Sequence, residues 1–312
     1  MTIVRVLVTG GAGFIGSHLA EALVRRGHRV RVLDNFYSGK RGNLRAVAGD
    51  VEVLRGDCAD AATARRATKG IDAVFHEAAI PSVARSVADP ALSHRANATA
   101  TLVVLVAARN AGVERFVYAG SSSVYGDRAG RRKREDMDPR PLSPYAVGKL
   151  TGEHYARIFA SLYGMETATL RYFNVFGPRQ DASSPYSGVI SLFITAMLAG
   201  RTPVLYGDGS QSRDFTYIDN VVDGNLRALS ARGLQGQSIN VATGRSVTLH
   251  ALLKALARQL GRPARASRRP PRPGDIRHSL ADVTLARKLL GYRPLVDFET
   301  GLAQTVDWYR RS

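Results

Sequence analysis

Three residues in this sequence carry side chains that together could move a proton: Tyr145, Lys149 and Ser121. Tyr145 and Lys149 are four residues apart in SPYAVGK, which places them on one face of a helix. A phenol with a pKa of about 10 is a poor base at neutral pH, but a neighbouring positive charge favours its phenolate. Ser121, in GSSSVYG, could position a substrate hydroxyl beside that phenolate. A Tyr–Lys pair alone is usually a solvated surface pair, so the hypothesis of acid–base catalysis depends on a second motif.

That second motif is the glycine-rich segment TGGAGFIG, Thr9 to Gly16, which follows an apolar β-type run and opens a helical pattern. Gly10 permits a tight turn, Gly13 lets the backbone approach a pyrophosphate, and Gly16 allows close packing of the helix. The first helical turn offers unpaired N–H groups to phosphates. Asp34 ends the next β-type run, where a carboxylate accepts hydrogen bonds from ribose hydroxyls and repels a 2′-phosphate. The segment therefore predicts a dinucleotide site that prefers NAD to NADP.

The elements that must hold these residues alternate along the first half of the chain. Short β-branched runs, such as IVRVLV and RVRVL, are separated by helical patterns, and the run after Pro144 reads as a helix to about Tyr163. This alternation predicts an α/β fold with a doubly wound parallel Rossmann sheet. We expect an NAD-binding domain over residues 1–177 and a smaller C-terminal α/β substrate domain over 178–312, with some segments returning to the first domain. Residues 262–273 (RPARASRRPPRP) read as an irregular basic loop.

Composition narrows the function further. The chain has 312 residues with 44 Lys+Arg against 26 Asp+Glu, a net charge of +18 that attracts phosphate-bearing ligands without choosing among them. Cys58 is the single cysteine, which excludes intrachain disulfides and Cys-based zinc sites, and no His/Asp/Glu grouping has metal spacing. The longest apolar stretch is too short to span a bilayer, and the N-terminus does not read as a signal peptide. We therefore expect a cytoplasmic protein without a membrane partner or a metal.

Nearly the whole chain resembles the extended short-chain dehydrogenase/reductases, and among them the nucleotide-sugar 4-epimerases. The resemblance is carried by ordered motifs from end to end: TGGAGFIGSHL, DNFYSGKRGNL, HEAAIPSV, SSSVYG, YAVGK, RYFNVFGPRQ, RDFTYIDNV and RPGDIRHSLAD. It implies an NAD-dependent isomerase in which Tyr145, Lys149 and Ser121 are catalytic. The cofactor contacts that it implies are Gly10, Gly13, Phe14, Ile15, Gly16, Asp34, Asn35, Ser38, Gly39, Asp57, Cys58, Ala78, Asn97, Tyr145, Lys149 and Val175.

The resemblance also implies how a UDP-sugar is held. Arginine forks give bidentate contacts to a diphosphate, and Arg213 and Arg272 stand at the matching positions. The implied substrate contacts are Val83, Ser121, Ser122, Tyr145, Asn174, Arg213, Arg272, Asp275 and Ser279. In the epimerase cycle Tyr145 takes the proton of the sugar 4-hydroxyl, a transient 4-keto sugar turns its other face to NAD, and reduction inverts carbon 4.

Two residues bear on which reaction and which sugar. Related 4,6-dehydratases carry Asp-Glu just after the catalytic Ser or Thr, whereas this chain has Ser122 and Ser123, which cannot serve as the acid for elimination. Ser279 stands where a bulky Tyr would restrict the family's sugar site to unmodified glucose and galactose. Its small size predicts UDP-GlcNAc and UDP-GalNAc as substrates, with UDP-Glc and UDP-Gal as further candidates. A UDP-glucuronate 4-epimerase, or another nucleotide-sugar oxidoreductase, is the alternative.

Partners complete the expectations. Family members commonly dimerise through a four-helix interface, and the helical segments 98–108 and 145–163 would supply it, so we expect a homodimer. A non-enzymatic NAD- or RNA-binding regulator is the competing class, favoured by the basic runs RRKR and RPARASRRPPRP. Those runs lack the interleaved aromatic residues that would stack on bases, so no nucleic acid partner is expected.

Overall fold

The computed structural model describes residues 3–127, 132–183, 187–271 and 276–312. The strands are β1 Arg5–Thr9, β2 Arg29–Asp34, β3 Val51–Arg55, β4 Ala73–His76, β5 Arg115–Ser121, β6 Glu166–Tyr172, β7 Val175–Phe176, β8 Val204–Tyr206, β9 Ser212–Arg213, β10 Thr216–Tyr217, β11 Gln235–Val241, β12 Val247–Thr248 and β13 Ser267–Arg269. The helices are α1 Phe14–Arg25, α2 Ala61–Thr68, α3 Val83–Ala88, α4 Pro90–His94, α5 Ala100–Asn110, α6 Pro144–Tyr163, α7 Val189–Leu198, α8 Ile218–Ser230, α9 Leu249–Leu260, α10 Thr284–Leu290 and α11 Phe298–Arg311. Segments 41–47 and 122–125 are 3-10 helices, and Arg95–Thr99 is a π-helical turn joining α4 to α5.

A parallel sheet of seven strands organises the described part of the chain, in the order β11-β6-β5-β4-β1-β2-β3. Successive residues of β1 face opposite sides of it, so Val6 and Val8 pack in one apolar cluster and Leu7 in another. The cluster around Leu7 includes residues of α2, α5 and α6, and the other includes residues of α1 and α8. Helices thus cover both faces, and the predicted doubly wound α/β fold is confirmed.

Strands β1 and β4 are neighbours at the centre of the sheet. From β1 the chain adds β2 and β3 toward one edge, and from β4 it adds β5, β6 and β11 toward the other. In doubly wound sheets a crevice opens outside the carboxyl ends of the strands at such a switch point. The glycine-rich segment after β1 and the HEAA segment after β4 both begin there. The topology therefore brings these two motifs to the same cleft.

The C-terminal part of the chain contributes to the central sheet as well as to smaller elements. Strand β11 pairs in parallel with β6, with Ile239 opposite Leu170. Short strands β7–β10, β8–β13 and β9–β12 form two-stranded sheets beside it. The domain division at residue 177 stays a prediction. Strand β11, which follows that residue, lies in the same sheet as β1 to β6.

One stretch expected to be irregular carries a strand. Ser267–Arg269, within the basic loop, forms β13 and pairs in parallel with Val204–Tyr206. The backbone hydrogen bonds of β8 select this conformation, while the arginine side chains of β13 stay exposed. Elsewhere in the described ranges, no helix combines the length and the apolar character that a membrane span requires.

Candidate active site

The end of β5 and the start of α6 bring the three proton-handling residues together. Ser121 is the last residue of β5, and Tyr145 stands in the first turn of α6. That turn is fixed by Pro144 at its first position and by Ser143, whose hydroxyl accepts a hydrogen bond from the Ala146 N–H at 3.2 Å. Local sequence signals therefore place Tyr145 in the lining of the cleft.

Tyr145 is partly buried, and burial raises the pKa of its phenol above the ordinary value. A hydrogen bond with Ser121 acts in the opposite direction and lowers that pKa. The Ser121 hydroxyl oxygen also accepts hydrogen bonds from the backbone N–H and the hydroxyl of Ser123, at 3.2 and 2.9 Å. Ser121 thus has a fixed position beside the phenol, as a positioning group requires.

Lys149 lies one turn further along α6 and is buried. Its Nζ donates a hydrogen bond to the Ala119 carbonyl at 2.9 Å and lies 4.9 Å from the centre of the Tyr118 ring. Burial lowers the pKa of Lys149 to about 8, while the carboxyl groups of Glu77 and Glu153 act to raise it. Lys149 therefore remains largely cationic at neutral pH, in a rigid setting.

The glycine-rich loop fits the backbone approach that a pyrophosphate demands. Gly10 has φ = +65°, and a Cβ there would lie 2.7 Å from the Ala78 backbone. A Cβ on Gly16 would lie 2.3 Å from the Gly10 carbonyl oxygen. Side chains are excluded at both positions, which leaves the N-terminus of α1 open to a phosphate.

Asp34 sits at the carboxyl end of β2, next to the glycine-rich loop. Its Oδ2 accepts from the Ala12 N–H at 2.9 Å and its Oδ1 from the Phe36 N–H at 2.7 Å. Burial raises the pKa of the carboxyl, and these two hydrogen bonds lower it. Each carboxylate oxygen has a further lone pair for a ribose hydroxyl, so the side chain fits the role expected for it.

Most of the predicted cofactor residues line one cleft. It is bounded by Gly10, Gly13, Phe14, Ile15, Gly16, Asp34, Asn35, Ser38, Gly39, Asp57, Cys58, Ala78, Tyr145 and Lys149. Asn97 and Val175 are not among the lining residues. This cleft is where NAD would fit, with the adenosine toward Asp34 and the nicotinamide toward Tyr145.

Asn97 acts behind the wall of the cleft. It belongs to the π-helical turn and is buried. Its Oδ1 accepts from the Ile80 N–H at 3.2 Å, and its Nδ2 donates to the Ser93 carbonyl at 2.9 Å. Asn97 thereby fixes the loop after β4, whose residues Ala78 to Pro81 line the cleft. Single π turns inside helices are frequent at functional sites.

Two of the predicted substrate residues, Asn174 and Ser279, contact each other, and Arg213 lies on the neighbouring strand β9. Asn174 has φ = +37°, a conformation that asparagine tolerates better than most residues, and its Nδ2 donates to the Ser279 hydroxyl at 3.4 Å. The Ser279 N–H donates to the Ser212 carbonyl at 3.0 Å, which ties it to the strand that carries Arg213. Val83 begins α3 with an exposed side chain, and Ser122 begins the 3-10 helix after β5. Arg272 and Asp275 lie outside the described residues.

Sequence reasoning missed Glu77 and Tyr172, which line the catalytic end of the cleft. The Tyr172 hydroxyl donates to Glu77 Oε1 at 2.7 Å. Burial raises the pKa of Glu77 to about 7. An acidic residue directly after a buried strand, in HEAA, was the available signal.

The remaining polar groups near the cleft have structural partners. His76 lies between the hydroxyls of Thr9 and Thr101, at 2.8 and 3.1 Å, and burial lowers its pKa to about 3. Burial raises the pKa of the Cys58 thiol to about 12. Within the described ranges, no group of three or more His, Cys, Asp or Glu side chains is arranged to hold a metal ion.

The fold and this cleft define a dinucleotide-binding protein. The profile of the NAD dependent epimerase/dehydratase family matches residues 6–242. The chain belongs to that family. The expected NAD cofactor, the isomerase class and the resemblance to nucleotide-sugar 4-epimerases are confirmed.

The similarity to known relatives extends over nearly the whole chain. The chain is 41% identical over 310 residues to the UDP-glucose 4-epimerase of Mycolicibacterium smegmatis, covering 98% of both chains. A UDP-N-acetylglucosamine 4-epimerase from Methanobrevibacter ruminantium, solved with UDP-N-acetylmuramic acid, superposes with a TM-score of 0.95 at 39% identity, covering 100% of this chain and 99% of that one. A UDP-glucuronic acid 4-epimerase from Bacillus cereus, solved with a fluorinated UDP-sugar and NAD, gives 0.92 at 32%, covering 98% and 99%.

Proposed function

We propose that this protein is a UDP-sugar 4-epimerase that interconverts UDP-GlcNAc and UDP-GalNAc, and also UDP-Glc and UDP-Gal, through a transient 4-keto sugar. The observation that carries the proposal is the Ser121–Tyr145–Lys149 group at the end of a cleft built for a dinucleotide. NAD, when bound, supplies the reversible oxidation at carbon 4 of the sugar. The protein must move one proton, hold the diphosphate and leave the hexose free to turn.

Tyr145 would accept the proton of the sugar 4-hydroxyl and later return it. Its phenol needs a stabilised anionic form, which the Ser121 hydrogen bond favours and burial opposes. The positive charges of Lys149 and of the oxidised nicotinamide would add to the stabilisation. Ser121 would also hold the sugar hydroxyl in line with the phenol.

Asn174, Arg213 and Ser279 would contact the nucleotide sugar. Ser279 lies against Asn174 and is too small to fill the space beside a sugar's 2-substituent. Ser122 and Ser123 supply no acid at the two positions after Ser121 where the related dehydratases carry Asp-Glu. Together these residues support epimerisation of N-acetylated sugars over dehydration.

A panel of five substrates tests the proposal: UDP-GlcNAc, UDP-GalNAc, UDP-Glc, UDP-Gal and UDP-glucuronate, with product configuration read by NMR. We expect turnover of both N-acetyl sugars. Ser279→Tyr should reduce their turnover by more than about tenfold while leaving UDP-Glc within about twofold. Ser279→Ala is the matched control, because it keeps the space and removes only the hydroxyl. Turnover of UDP-Glc without either N-acetyl sugar would overturn the substrate assignment, and turnover of UDP-glucuronate alone would establish the alternative.

A homodimer through α5 and α6 is part of the proposal. On α6 the side chains of Val147, Ile158 and Leu162 are exposed, and they lie along one face of the helix. Val103 and Val106 of the neighbouring α5 are only partly buried. An apolar face of this kind suits a second copy of the same face. The cytoplasmic location expected from the sequence stays a prediction.

A further inference from the structure

Glu77 is an acidic residue that the proton-transfer scheme does not use. It follows β4 directly, and its backbone N–H donates to the Thr9 carbonyl at 3.2 Å. Its side chain lines the cleft together with Tyr145, Lys149 and Tyr172. The carboxyl group therefore stands at the catalytic end of the cleft and not at the adenosine end near Asp34.

Strand β6 and helix α8 fix the position of this carboxyl group. The Asn225 amide on α8 donates to the Tyr172 hydroxyl at 2.8 Å, and that hydroxyl donates to Glu77 Oε1 at 2.7 Å. Asn225 is itself anchored, because its Nδ2 also donates to the Val221 carbonyl at 2.9 Å. A chain of donors that ends on a carboxylate oxygen favours the charged form of the acid.

The charges around Glu77 are few. Lys149 is the cation that lines this end of the described cleft. Arg171, which precedes Tyr172, forms a buried ion pair with Glu153 at 2.7 Å. The lowered pKa of His76 keeps its ring neutral. Glu77 makes no ion pair with any described residue, although its charge interacts with that of Lys149. A partly buried carboxyl without a salt bridge costs stability, and such groups in a cleft are typical of functional sites.

The two forms of NAD differ in charge at the ring that would occupy this end. The oxidised nicotinamide is a cation, and the reduced ring is neutral. The Lys149 ammonium disfavours the cationic ring, whereas a fixed carboxylate favours it, and both effects are strong where water is scarce. We propose that Glu77 makes the site prefer oxidised over reduced NAD, by offsetting the charge of Lys149. The inference rests on the proposed placement of the nicotinamide beside Tyr145.

Such a preference would suit a reaction that must leave its cofactor unchanged. An epimerase that held the reduced cofactor too well would keep the sugar as a ketone. A carboxylate beside the ring would shift the balance toward the oxidised cofactor and the alcohol. Glu77 would therefore act through its charge on the nicotinamide ring and would take no part in the proton transfer itself.

The test measures the ratio of bound NAD⁺ to bound NADH and does not rely on catalytic activity. Purified protein is equilibrated with known mixtures of NAD⁺ and NADH, separated from free cofactor, and the bound forms are quantified by absorbance after release. We expect the preference of Glu77→Gln for NAD⁺ over NADH to be about 3- to 30-fold lower than that of the wild type. Glutamine retains an oxygen that can accept from Tyr172, and a melting curve confirms folding. Should it unfold, Glu77→Asp, which withdraws the charge from the ring, should lower the same ratio.

Glu135→Gln is the matched control. Glu135 is also a carboxyl whose pKa is raised by burial, but it accepts from the Asn240 N–H at 2.8 Å and is not among the cleft-lining residues. An unchanged ratio in a folded Glu77 variant, or an equal change in Glu135→Gln, would overturn the inference. A wild-type protein that binds neither form of the cofactor would instead contradict the proposed placement of NAD, so the two failures are distinguishable.

Discussion

Two opposing influences act on the phenol of Tyr145. Burial raises its pKa and the Ser121 hydrogen bond lowers it. The sequence-based hypothesis considered the positive charges of Lys149 and of the nicotinamide, and it did not include the cost of enclosing an anion. The phenolate therefore depends on the charges that the bound cofactor and Lys149 supply together.

Removing the phenolic oxygen isolates its contribution. We expect Tyr145→Phe to lower kcat by about 10²–10⁴-fold, which is the typical contribution of a positioned acid–base group. The NAD content of the purified protein should stay unchanged, because the ring still fills its place. Tyr155→Phe, on the same helix and outside the cleft lining, is the control with normal turnover. Wild-type kcat in Tyr145→Phe would rule out Tyr145 as the base.

The pKa of Glu77 predicts a pH dependence of cofactor preference. Above a pKa of about 7 the carboxyl is charged and favours the cationic ring, so the NAD⁺ preference should rise between pH 6 and 8. Lys149, with a pKa of about 8, loses its opposing charge at higher pH, and His76, at about 3, stays neutral throughout. Burial raises the pKa of Tyr172 and keeps that phenol neutral over this range, whereas the ionisation of Tyr145 beside the bound cofactor contributes equally in the wild type and in Glu77→Gln.

The ratio of bound NAD⁺ to bound NADH, measured between pH 6 and 8, tests whether the preference rises with pH. Glu77→Gln should remove the part of the rise centred near pH 7 and leave the part that Lys149 and Tyr145 contribute. A wild-type preference that falls with increasing pH would contradict the assignment of the charge to Glu77.

Helix α6 and strand β5 set the spacing of the site at the scale of elements. Gly152 of α6 packs against Tyr118 of β5, and a Cβ at this glycine would lie 2.4 Å from the Tyr118 ring. Neither a backbone inside a helix nor a buried ring can yield easily. The absence of a side chain at residue 152 thus determines how close Lys149 and Tyr145 lie to the end of β5.

Gly152→Ala should push α6 away from the sheet. We expect a loss of about 1–3 kcal/mol in the free energy of unfolding, and about tenfold or more in kcat, since catalytic groups tolerate little displacement. Denaturant unfolding and steady-state kinetics measure the two effects. Gly49→Ala, where an added Cβ would have no neighbour within 4 Å, is the matched control and should change neither. A Gly152→Ala variant with full stability and turnover would show that α6 can adjust freely.

Elements with a clear hydrophobic periodicity or cap in the sequence could be predicted. Strands that form only by pairing with another strand could not. Helix α6 runs from Pro144 to Tyr163 as expected, because its proline and serine cap define the start and Gly164 the end. Strand β11 has the mixed sequence QGQSINV and is selected by its pairing with β6. Strands of two residues, such as β9, exist only through tertiary contacts. In the site, the motif residues were recognisable, whereas the contact of Glu77 with Tyr172 joins residues far apart in sequence.

At the scale of the whole molecule, the exposed apolar face of α6 predicts the assembly. The double variant Ile158→Glu, Leu162→Glu places charges on that face and should convert a dimer into monomers, because a buried unpaired charge is costly. Light scattering after size exclusion measures the mass. Leu295→Glu, at an equally exposed leucine far along the chain, should leave the dimer intact. A monomeric wild-type protein, or a double variant that remains dimeric, would contradict the predicted interface.

The pairing of β11 with β6 has a consequence for any shortened form of the chain. A fragment that stops at residue 177 would leave the hydrogen-bonding groups of β6 unpaired along a sheet margin that includes Leu170. Open margins of this kind recruit strands from other molecules. The nucleotide-binding half is therefore expected to precipitate when expressed alone, and the two halves of the chain have to be inherited and engineered together.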